Sequence, residues 1–278
     1  MAALLVASNG SLYGTTSQGG MDSPNCYAGC GTIFKVTPAG QFKLLHSFDF
    51  TDGANPWASS LIEGADGNIY GTTISGGTIG VGTVFKMSLD GTTFTTLYNF
   101  CIQTNCADGL SPFAGLIQAA DGNFYGATAQ GGAIGDQGGD GTIFSITSAG
   151  ALTTLHVFVA DGDQPAASLV QSTNGTFYGT TSVGGAYNYG TVFSLSVGLA
   201  PFVETIPASG KTGTRVAILG TSLEGATSVV FNGTAATFTV VSPSLIKTTV
   251  PAGATTGTLQ VVAPSGTLSS NVGFRVIQ

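Results

Sequence analysis

The chain has few charged residues and no basic run. Its 278 residues include 7 Lys and Arg and 14 Asp and Glu, with a formal net charge of −7 at pH 7. Phosphate groups are bound by clustered Lys and Arg, so this composition argues against a nucleic-acid partner and against an anionic membrane surface. No apolar stretch reaches the roughly 18 residues of a membrane-spanning helix. We therefore expect neither nucleic acid nor a membrane span.

Signatures of enzymes are also missing. No Ser has Gly both two places before and two places after it, so the nucleophile-elbow pattern is absent. Gly210-Lys211-Thr212 is similar to the end of a phosphate-binding loop, but Thr205 stands where that motif needs its first Gly. The sequence therefore assigns no catalytic residue and no cofactor, and it favours a protein that is not an enzyme.

What the chain has is a block of about 55 residues that recurs nearly four times. Its clearest marker is Tyr-Gly-Thr-Thr, or Tyr-Gly-Ala-Thr, at 13–16, 70–73, 125–128 and 178–181. Self-similarity at this period indicates units that stack on their neighbours, because each is too small to bury a core alone. Leu4-Leu5 already matches repeat sequence, so we expect the chain to begin inside an array, with a signal peptide and earlier repeats upstream.

Each repeat has four candidate strands, bounded by Gly, Asp and Asn turns. In the second repeat these are 60–62, 69–73, 82–87 and 94–100. Asp-Gly and Asn-Gly turns favour hairpins, and four antiparallel strands in about fifty residues form one propeller blade. A β-solenoid is the alternative. The fourth copy ends after its third strand at 194–196, which predicts fifteen strands and an exposed edge.

The sequence pattern changes after Gly198, where the Tyr-Gly-Thr-Thr words stop. Six short strands with frequent turn signals follow: 215–219, 228–231, 236–240, 245–250, 257–262 and 273–277. Such spacing is typical of a small sandwich. The predicted fold is therefore all-β, with a β-propeller-like array of about four blades, the last one incomplete, over residues 1–198. A small immunoglobulin-like β-sandwich follows over residues 199–278.

Two resemblances agree with this division. Gly-Thr-Val-Phe-Lys at 82–86, Leu-His-Ser-Phe at 45–48 and Asp-Gly-Ala-Asn-Pro at 52–56 resemble the GloVer family of bacterial tandem repeats, over residues 1 to about 197. That family implies a secreted or surface-anchored β-rich array and supplies no catalytic residues. The tail, with Phe231-Asn232-Gly233 and Val250-Pro251, resembles an IPT/TIG module. That resemblance implies an accessory immunoglobulin-like domain without DNA binding.

The four cysteines form two close pairs in insertions that the other repeats lack. Four cysteines allow three connectivities, and we predict the local ones, Cys26–Cys30 and Cys101–Cys106. A zinc site is the alternative, but the usual Cys-x-x-Cys spacing is absent. Because disulfides persist in oxidising compartments, we expect an extracellular or cell-surface protein.

Loop aromatics and loop carboxylates are the candidate ligand-binding residues. Trp57 and Phe113 follow two prolines, and Tyr187 and Tyr189 precede a Gly-Thr-Val-Phe strand, as does Tyr27. Aromatic rings in a chain with few charges suit neutral polysaccharide, although Trp57 and Phe113 could instead wedge between blades. The carboxylates in Asp-Gly turns are Asp52, Asp108 and Asp161. These three serve either as turn residues or as ligand contacts, and Asp136, Asp140, Asp161 and Asp163 could offer oxygen ligands to calcium.

The two histidines hold one repeat position, at His46 and His156, with Tyr98 in the copy between them. This exchange indicates a shared packing or hydrogen-bonding role. The function that the sequence favours is non-catalytic binding or scaffolding at a bacterial surface, with a polysaccharide or surface glycan as the partner. The alternatives are a secreted carbohydrate-active hydrolase or lyase that uses loop carboxylates, and a fibre subunit that self-associates through the incomplete blade.

Overall fold

A computed structural model describes residues 3–21, 23–56, 60–132, 139–159 and 161–277. Over these residues the protein is all-β, with twenty-five strands and one 3₁₀ turn at Thr104–Cys106. None of the helical structure found in these ranges is long and apolar enough to cross a membrane. The all-β prediction is confirmed.

The first three repeats each fold as a four-stranded antiparallel sheet in which every strand pairs with its neighbour in the chain. The first sheet consists of β1 (Leu5–Val6), β2 (Leu12–Thr16), β3 (Thr32–Val36) and β4 (Phe42–Ser47). The second consists of β5 (Ile62–Glu63), β6 (Asn68–Thr73), β7 (Thr83–Ser88) and β8 (Phe94–Asn99). The third consists of β9 (Ile117–Gln118), β10 (Phe124–Thr128), β11 (Thr142–Ile146) and β12 (Leu152–Val157). Pairing within each copy is what the hairpin turns predict.

The fourth repeat has three strands, β13 (Val170–Gln171), β14 (Phe177–Thr180) and β15 (Val192–Leu195), hydrogen-bonded in that order. The repeats thus contain fifteen strands in the described chain, as predicted. The fourth strand of the other repeats has no counterpart in this sheet.

The repeats bury their hydrophobic residues against one another. One buried cluster combines Tyr13 and Ile33 of the first repeat with Ile69 and Phe85 of the second. A second cluster combines residues of the second and third repeats: Tyr70, Val84, Phe100, Phe124 and Phe144. Because each core is shared between neighbours, the repeats stabilise one another.

One aromatic contact recurs at each junction between repeats. The Phe that closes one repeat meets, edge to face, the Phe of the Gly-Thr-Val-Phe or Gly-Thr-Ile-Phe word in the next repeat. The ring centroids are 5.5 Å apart for Phe48–Phe85, 5.2 Å for Phe100–Phe144 and 5.2 Å for Phe158–Phe193. The interplanar angles lie between 63° and 66°. The repeated sequence words therefore encode a repeated packing contact.

The Gly of the Tyr-Gly-Thr-Thr word is explained by close packing. A Cβ atom at Gly126 would lie 2.7 Å from Cζ of Phe144 and 2.9 Å from Cδ2 of Leu116. Gly14, Gly71 and Gly179 meet the equivalent Phe and Leu side chains in the same way. Any larger residue at this position would displace the Phe ring from its place in the sheet.

Contacts divide the chain into two compact units. The first comprises Met1–Gln118, Asn123–Val170 and Tyr178–Phe193. The second comprises Ala119–Gly122, Gln171–Phe177 and Ser194–Gln278. The second unit therefore includes short segments of the repeats, such as Ala119–Gly122, as well as the C-terminal residues.

The C-terminal residues form two four-stranded sheets and one two-stranded sheet. The first, in spatial order, is β16 (Glu204–Ile206), β18 (Arg215–Leu219), β22 (Leu245–Thr249) and β21 (Phe238–Ser242). The second is β20 (Thr234–Ala235), β19 (Ser228–Phe231), β23 (Leu259–Ala263) and β24 (Gly266–Ser269). The two-stranded sheet pairs β17 (Ser209–Gly210) with β25 (Arg275–Val276). Buried residues of both larger sheets, such as Ile246 and Val261, join one hydrophobic cluster.

The prediction of six strands in this part was too low, because the described tail contains ten. The four that sequence patterns missed are β16, β17, β20 and β24. Two of them have only two residues, and the other two carry Glu204 or begin at Gly266. Such segments lack the β-branched runs that identify strands in a sequence.

Candidate functional site

Two kinds of loop meet at one end of the repeat sheets. In an antiparallel sheet the connection from the second strand to the third lies at the same end as the connection from the fourth strand to the next repeat. Isolated bridges join the two kinds of loop, at Ala54–Ser75 and at Leu110–Gln130. We call this end the loop rim. The candidate ligand-binding residues from the sequence that the structure describes belong to these loops.

The residue before each rim proline has a left-handed backbone, with φ of 53° at Asn55, 53° at Ser111 and 54° at Gln164. The Asn55 N–H donates to the carbonyl of Cys30, and the Asn55 carbonyl accepts from the N–H of Ile74. Ser111 and Gln164 make the equivalent pair of bonds. The rim loops are therefore held by backbone bonds, and a polar side chain projects from each at the same place.

The position shared by His and Tyr is a hydrogen-bonding one. His46 Nε2 lies 2.8 Å from Oδ2 of Asp52, and His156 Nε2 lies 2.9 Å from Oδ2 of Asp161. In the copy between them, the Tyr98 hydroxyl donates to Oδ2 of Asp108 at 2.8 Å. Each of the first three repeats thus ties its fourth strand to the Asp-Gly loop that follows it. This arrangement accounts for the predicted equivalence of the three positions.

Asp108 differs from the other two carboxylates in its burial. It is fully buried and also accepts hydrogen bonds from the N–H groups of Ile102 and Gln103, at 3.1 and 3.3 Å. Burial first, and then the bond to Asp108, raise the pKa of Tyr98 well above its usual value. The carboxylate of Asp108 is therefore occupied inside its own loop and is not presented to a ligand in this conformation.

Asp52 and Asp161 keep partial access to solvent. Their side chains are 23% and 57% exposed. Burial raises the pKa of Asp161, but hydrogen bonds from the Val159 N–H and its own backbone, together with neighbouring His156, outweigh burial and hold that pKa below its usual value. Asp161 is therefore an ionised carboxylate at neutral pH.

Three of the four predicted calcium ligands, Asp140, Asp161 and Asp163, lie in the described residues. Asp136 lies outside the described residues. Burial, and then the negative charge of Asp140, raise the pKa of Asp163. In the described parts of the chain, no group of three or more His, Cys, Asp or Glu side chains is arranged to hold a metal ion.

The rim carries two neighbouring cavities in the first unit. One, of about 310 Å³, is lined by residues that include Gln18, Asn25, Tyr27, Phe50 and Asn55. The other, of about 460 Å³, is lined by Ser17, Gln18, Asn55, Ile74 and Phe113. Because Gln18 and Asn55 line both, we treat the two cavities as one site and call it the rim cleft. No Asp, Glu, Lys or Arg of the described residues lines it.

The structure places the predicted aromatic residues in different settings. Phe113 is half-buried in the wall of the rim cleft, and Tyr27, which is fully exposed, lines the smaller cavity. Tyr187 and Tyr189 are almost fully exposed in a loop of the fourth repeat. Trp57 lies outside the described residues. Gln18, Asn55 and Phe50 were missed, although a recurring polar residue before each rim proline was a usable signal for Asn55.

The cysteines pair as predicted, Cys26 with Cys30 and Cys101 with Cys106. Each bond closes a short rim loop. Cys26 lies in the wall of the rim cleft, and Ile102 and Gln103, which donate to Asp108, lie between the second pair. The disulfides therefore stabilise the loops that shape this end of the molecule.

These features define an all-β repeat protein whose four-stranded sheets share cores and present their loops at a common rim. The chain belongs to the Gloeobacter/Verrucomicrobia repeat family, whose model matches residues 1–241. The predicted resemblance to this family is confirmed, and the match extends beyond residue 198 into the region for which an IPT/TIG module was predicted.

Several solved structures are similar to the chain at low identity. They include a luciferin-regenerating enzyme (TM-score 0.47, 16% identity, 72% of this chain and 62% of that one). A fungal alcohol oxidase of the AA5 family in complex with copper has a TM-score of 0.47 and 13% identity, over 100% of this chain and 63% of that one. An α-L-arabinofuranosidase from Clostridium thermocellum has a TM-score of 0.41 and 11% identity, over 89% and 92%. The chain thus spans under two thirds of the first two. No curated protein matches the chain.

Proposed function

We propose that this chain is an extracellular, non-catalytic binding protein of a bacterial surface, and that its rim cleft binds neutral carbohydrate. The observation that supports this proposal most is the chemistry of the cleft wall, which combines amides, hydroxyls and aromatic rings without a charged side chain. Two disulfides fit an oxidising location.

The wall groups suit sugars in two ways. The side-chain amides of Gln18 and Asn55 both donate and accept hydrogen bonds, which matches the alternating character of sugar hydroxyls. The rings of Tyr27 and Phe113 offer flat apolar surfaces for the C–H face of a sugar ring. Asn55 is held by backbone hydrogen bonds on both sides, so binding would order little additional structure.

We expect Phe113→Ala and Gln18→Ala each to weaken binding of a neutral oligosaccharide about tenfold, which corresponds to roughly 1.4 kcal/mol. The first removes a stacking surface and the second removes hydrogen bonds. A glycan array would find the ligand, and titration calorimetry on the full chain would measure the affinity.

Phe42→Ala is the matched control, because Phe42 is exposed and begins β4 at the end of the sheet opposite the rim. It should leave affinity unchanged. Binding that is indifferent to Phe113 and Gln18 would remove the rim cleft from consideration. If only Tyr187→Ala or Trp57→Ala weakens oligosaccharide binding, the binding site would instead be at those loop aromatics, which the sequence also predicts.

A carbohydrate-active hydrolase or lyase is the second candidate function. The two His–Asp pairs, His46–Asp52 and His156–Asp161, favour it, because a carboxylate beside an imidazole is a common general-base arrangement. Turnover of polysaccharides that is abolished by Asp161→Asn would establish this alternative. Binding without turnover supports the non-catalytic proposal.

Self-association through the fourth repeat is a third candidate, favoured by its three-stranded sheet. A strand from a second copy could extend this sheet beyond β15. We then expect light scattering to show dimers or larger species that dissociate in Val192→Lys, since the Val192 side chain is 80% exposed and a Lys there blocks edge pairing. A monomer at every concentration would contradict this candidate.

For the C-terminal residues we propose an immunoglobulin-like module of the IPT/TIG type, which acts as an accessory domain. Two four-stranded sheets that share one buried cluster support this assignment. For the repeats we propose a propeller-like array, supported by four successive sheets with shared cores.

A further inference from the structure

The outer surface of the sheet β16-β18-β22-β21 carries two cations. Alternation along the strands directs Val216, Ile246 and Thr248 into the core, while Arg215 and Lys247 are exposed on the opposite side. On this exposed side lies an open depression of about 620 Å³. We call this side the cationic face and define it by Ile206, Arg215, Ala217, Thr239, Lys247 and Thr249.

The register of the strands brings the two cations close together. Arg215 pairs with Thr249, and Ala217 pairs with Lys247, so Arg215 and Lys247 occupy diagonal positions on adjacent strands. Diagonal neighbours on one face of a sheet are about 7–8 Å apart. The two exposed cations are therefore neighbours on one side of the sheet.

Neither cation has a carboxylate partner within the described chain, where the ion pairs are His46–Asp52, Lys86–Asp66 and His156–Asp161. Glu204 lies on the same face but opposite Leu219, four residues along β18 from Arg215. That separation is about 13 Å at the rise of a strand. The positive charge of the face is therefore uncompensated where the cavity lies.

The rest of the face limits what an anionic partner can be. The hydroxyl groups at the cavity include those of Thr237, Thr239 and Thr249, and its largest apolar side chains are Ile206 and the half-buried Phe238. Stable protein interfaces are centred on buried Trp, Tyr or Arg anchors; no Trp or Tyr lines this cavity, and its Arg215 is exposed. Two cations on a chain of net charge −7 are too few for nucleic acid.

We propose that the cationic face binds an acidic polysaccharide, a chain of sugar rings that bear carboxylate groups. The Arg215 guanidinium suits a bidentate contact with one carboxylate, and Lys247 supplies a second positive charge for the next. The Thr hydroxyls can bond to ring hydroxyls between them. This site lies in the second unit and does not depend on the rim cleft.

The test uses the full chain and oligogalacturonate of defined length, with dextran of equal length as the uncharged probe. We expect Arg215→Gln and Lys247→Gln each to weaken oligogalacturonate binding about tenfold and to reduce its salt dependence. Lys211→Gln removes the same charge from an exposed position outside the face, and it should change the affinity less than twofold. Arg215→Lys keeps the charge but loses the planar guanidinium, so its affinity for oligogalacturonate should lie between those of the original protein and Arg215→Gln.

Several results would overturn the proposal. These are no binding of oligogalacturonate, equal binding of dextran, or an equal loss with Lys211→Gln, which would indicate general charge attraction. Equal binding of a polyglutamate peptide would point to an acidic protein instead of a sugar chain. Phe113→Ala distinguishes the two sites, because it should weaken neutral sugar binding at the rim and leave oligogalacturonate binding intact.

Discussion

Replacing Phe100 with Ala should lower the free energy of unfolding by about 3–5 kcal/mol, the usual cost of removing a buried Phe. Phe100 is fully buried, and its ring meets Phe144 of the third repeat and Tyr98 of its own repeat edge to face. The substitution would leave a cavity in the core that the second and third repeats share. Because each repeat depends on its neighbours, the loss should destabilise the array as a whole.

Chemical denaturation followed by near-ultraviolet circular dichroism would measure this effect. Phe42→Ala is the control, since Phe42 is 66% exposed and should cost about 1 kcal/mol or less. If both variants lose the same free energy of unfolding, the Phe100 contact between repeats contributes no more to stability than an exposed Phe ring.

Asp108→Ala should cost about 3 kcal/mol, because it removes a fully buried carboxylate that accepts three partly buried hydrogen bonds, each worth roughly 1 kcal/mol. The donors are the Tyr98 hydroxyl and the N–H groups of Ile102 and Gln103. Asp108→Asn keeps one acceptor oxygen and should cost less than the Ala variant. Thermal and chemical unfolding of the three proteins would establish the order.

The control for Asp108 is the equivalent residue of the next repeat. Asp161→Ala removes the same group from the same repeat position, but its side chain is 57% exposed, so water can replace the lost acceptor. We expect a cost of about 1 kcal/mol or less. A large loss for Asp161→Ala, or a small one for Asp108→Ala, would contradict the assignment of burial as the deciding factor.

Repeat words predicted the strands of the array well, because the information is local. The Tyr-Gly-Thr-Thr and Gly-Thr-Val-Phe words coincide with β6 (Asn68–Thr73) and β7 (Thr83–Ser88), and the glycine-containing turns between them favour hairpins. The absence of a fourth strand after β15 was also visible. In the tail, β16 and β24 were missed because charge and glycine mask short strands that tertiary pairing stabilises.

The rim cleft could not be predicted in the same way. Gln18 and Phe113 belong to different repeats and are far apart in the sequence, yet they line one cavity. The sequence suggested Phe113 as a ligand-binding residue, but it did not suggest Gln18 or Asn55. Only the packing of successive repeats brings their loops together.

By itself, the sequence determined the period, the four-strand unit, the incomplete last copy and the local disulfides, since each depends on residues that are neighbours in the chain. The tertiary structure decided which equivalent residues differ. Asp108 and Asp161 hold one repeat position, but the loop closed by Cys101 and Cys106 folds its N–H groups onto Asp108 alone. The fold of that loop sets how deeply each carboxylate is buried, so equivalent Asp-Gly words lead to different chemical environments.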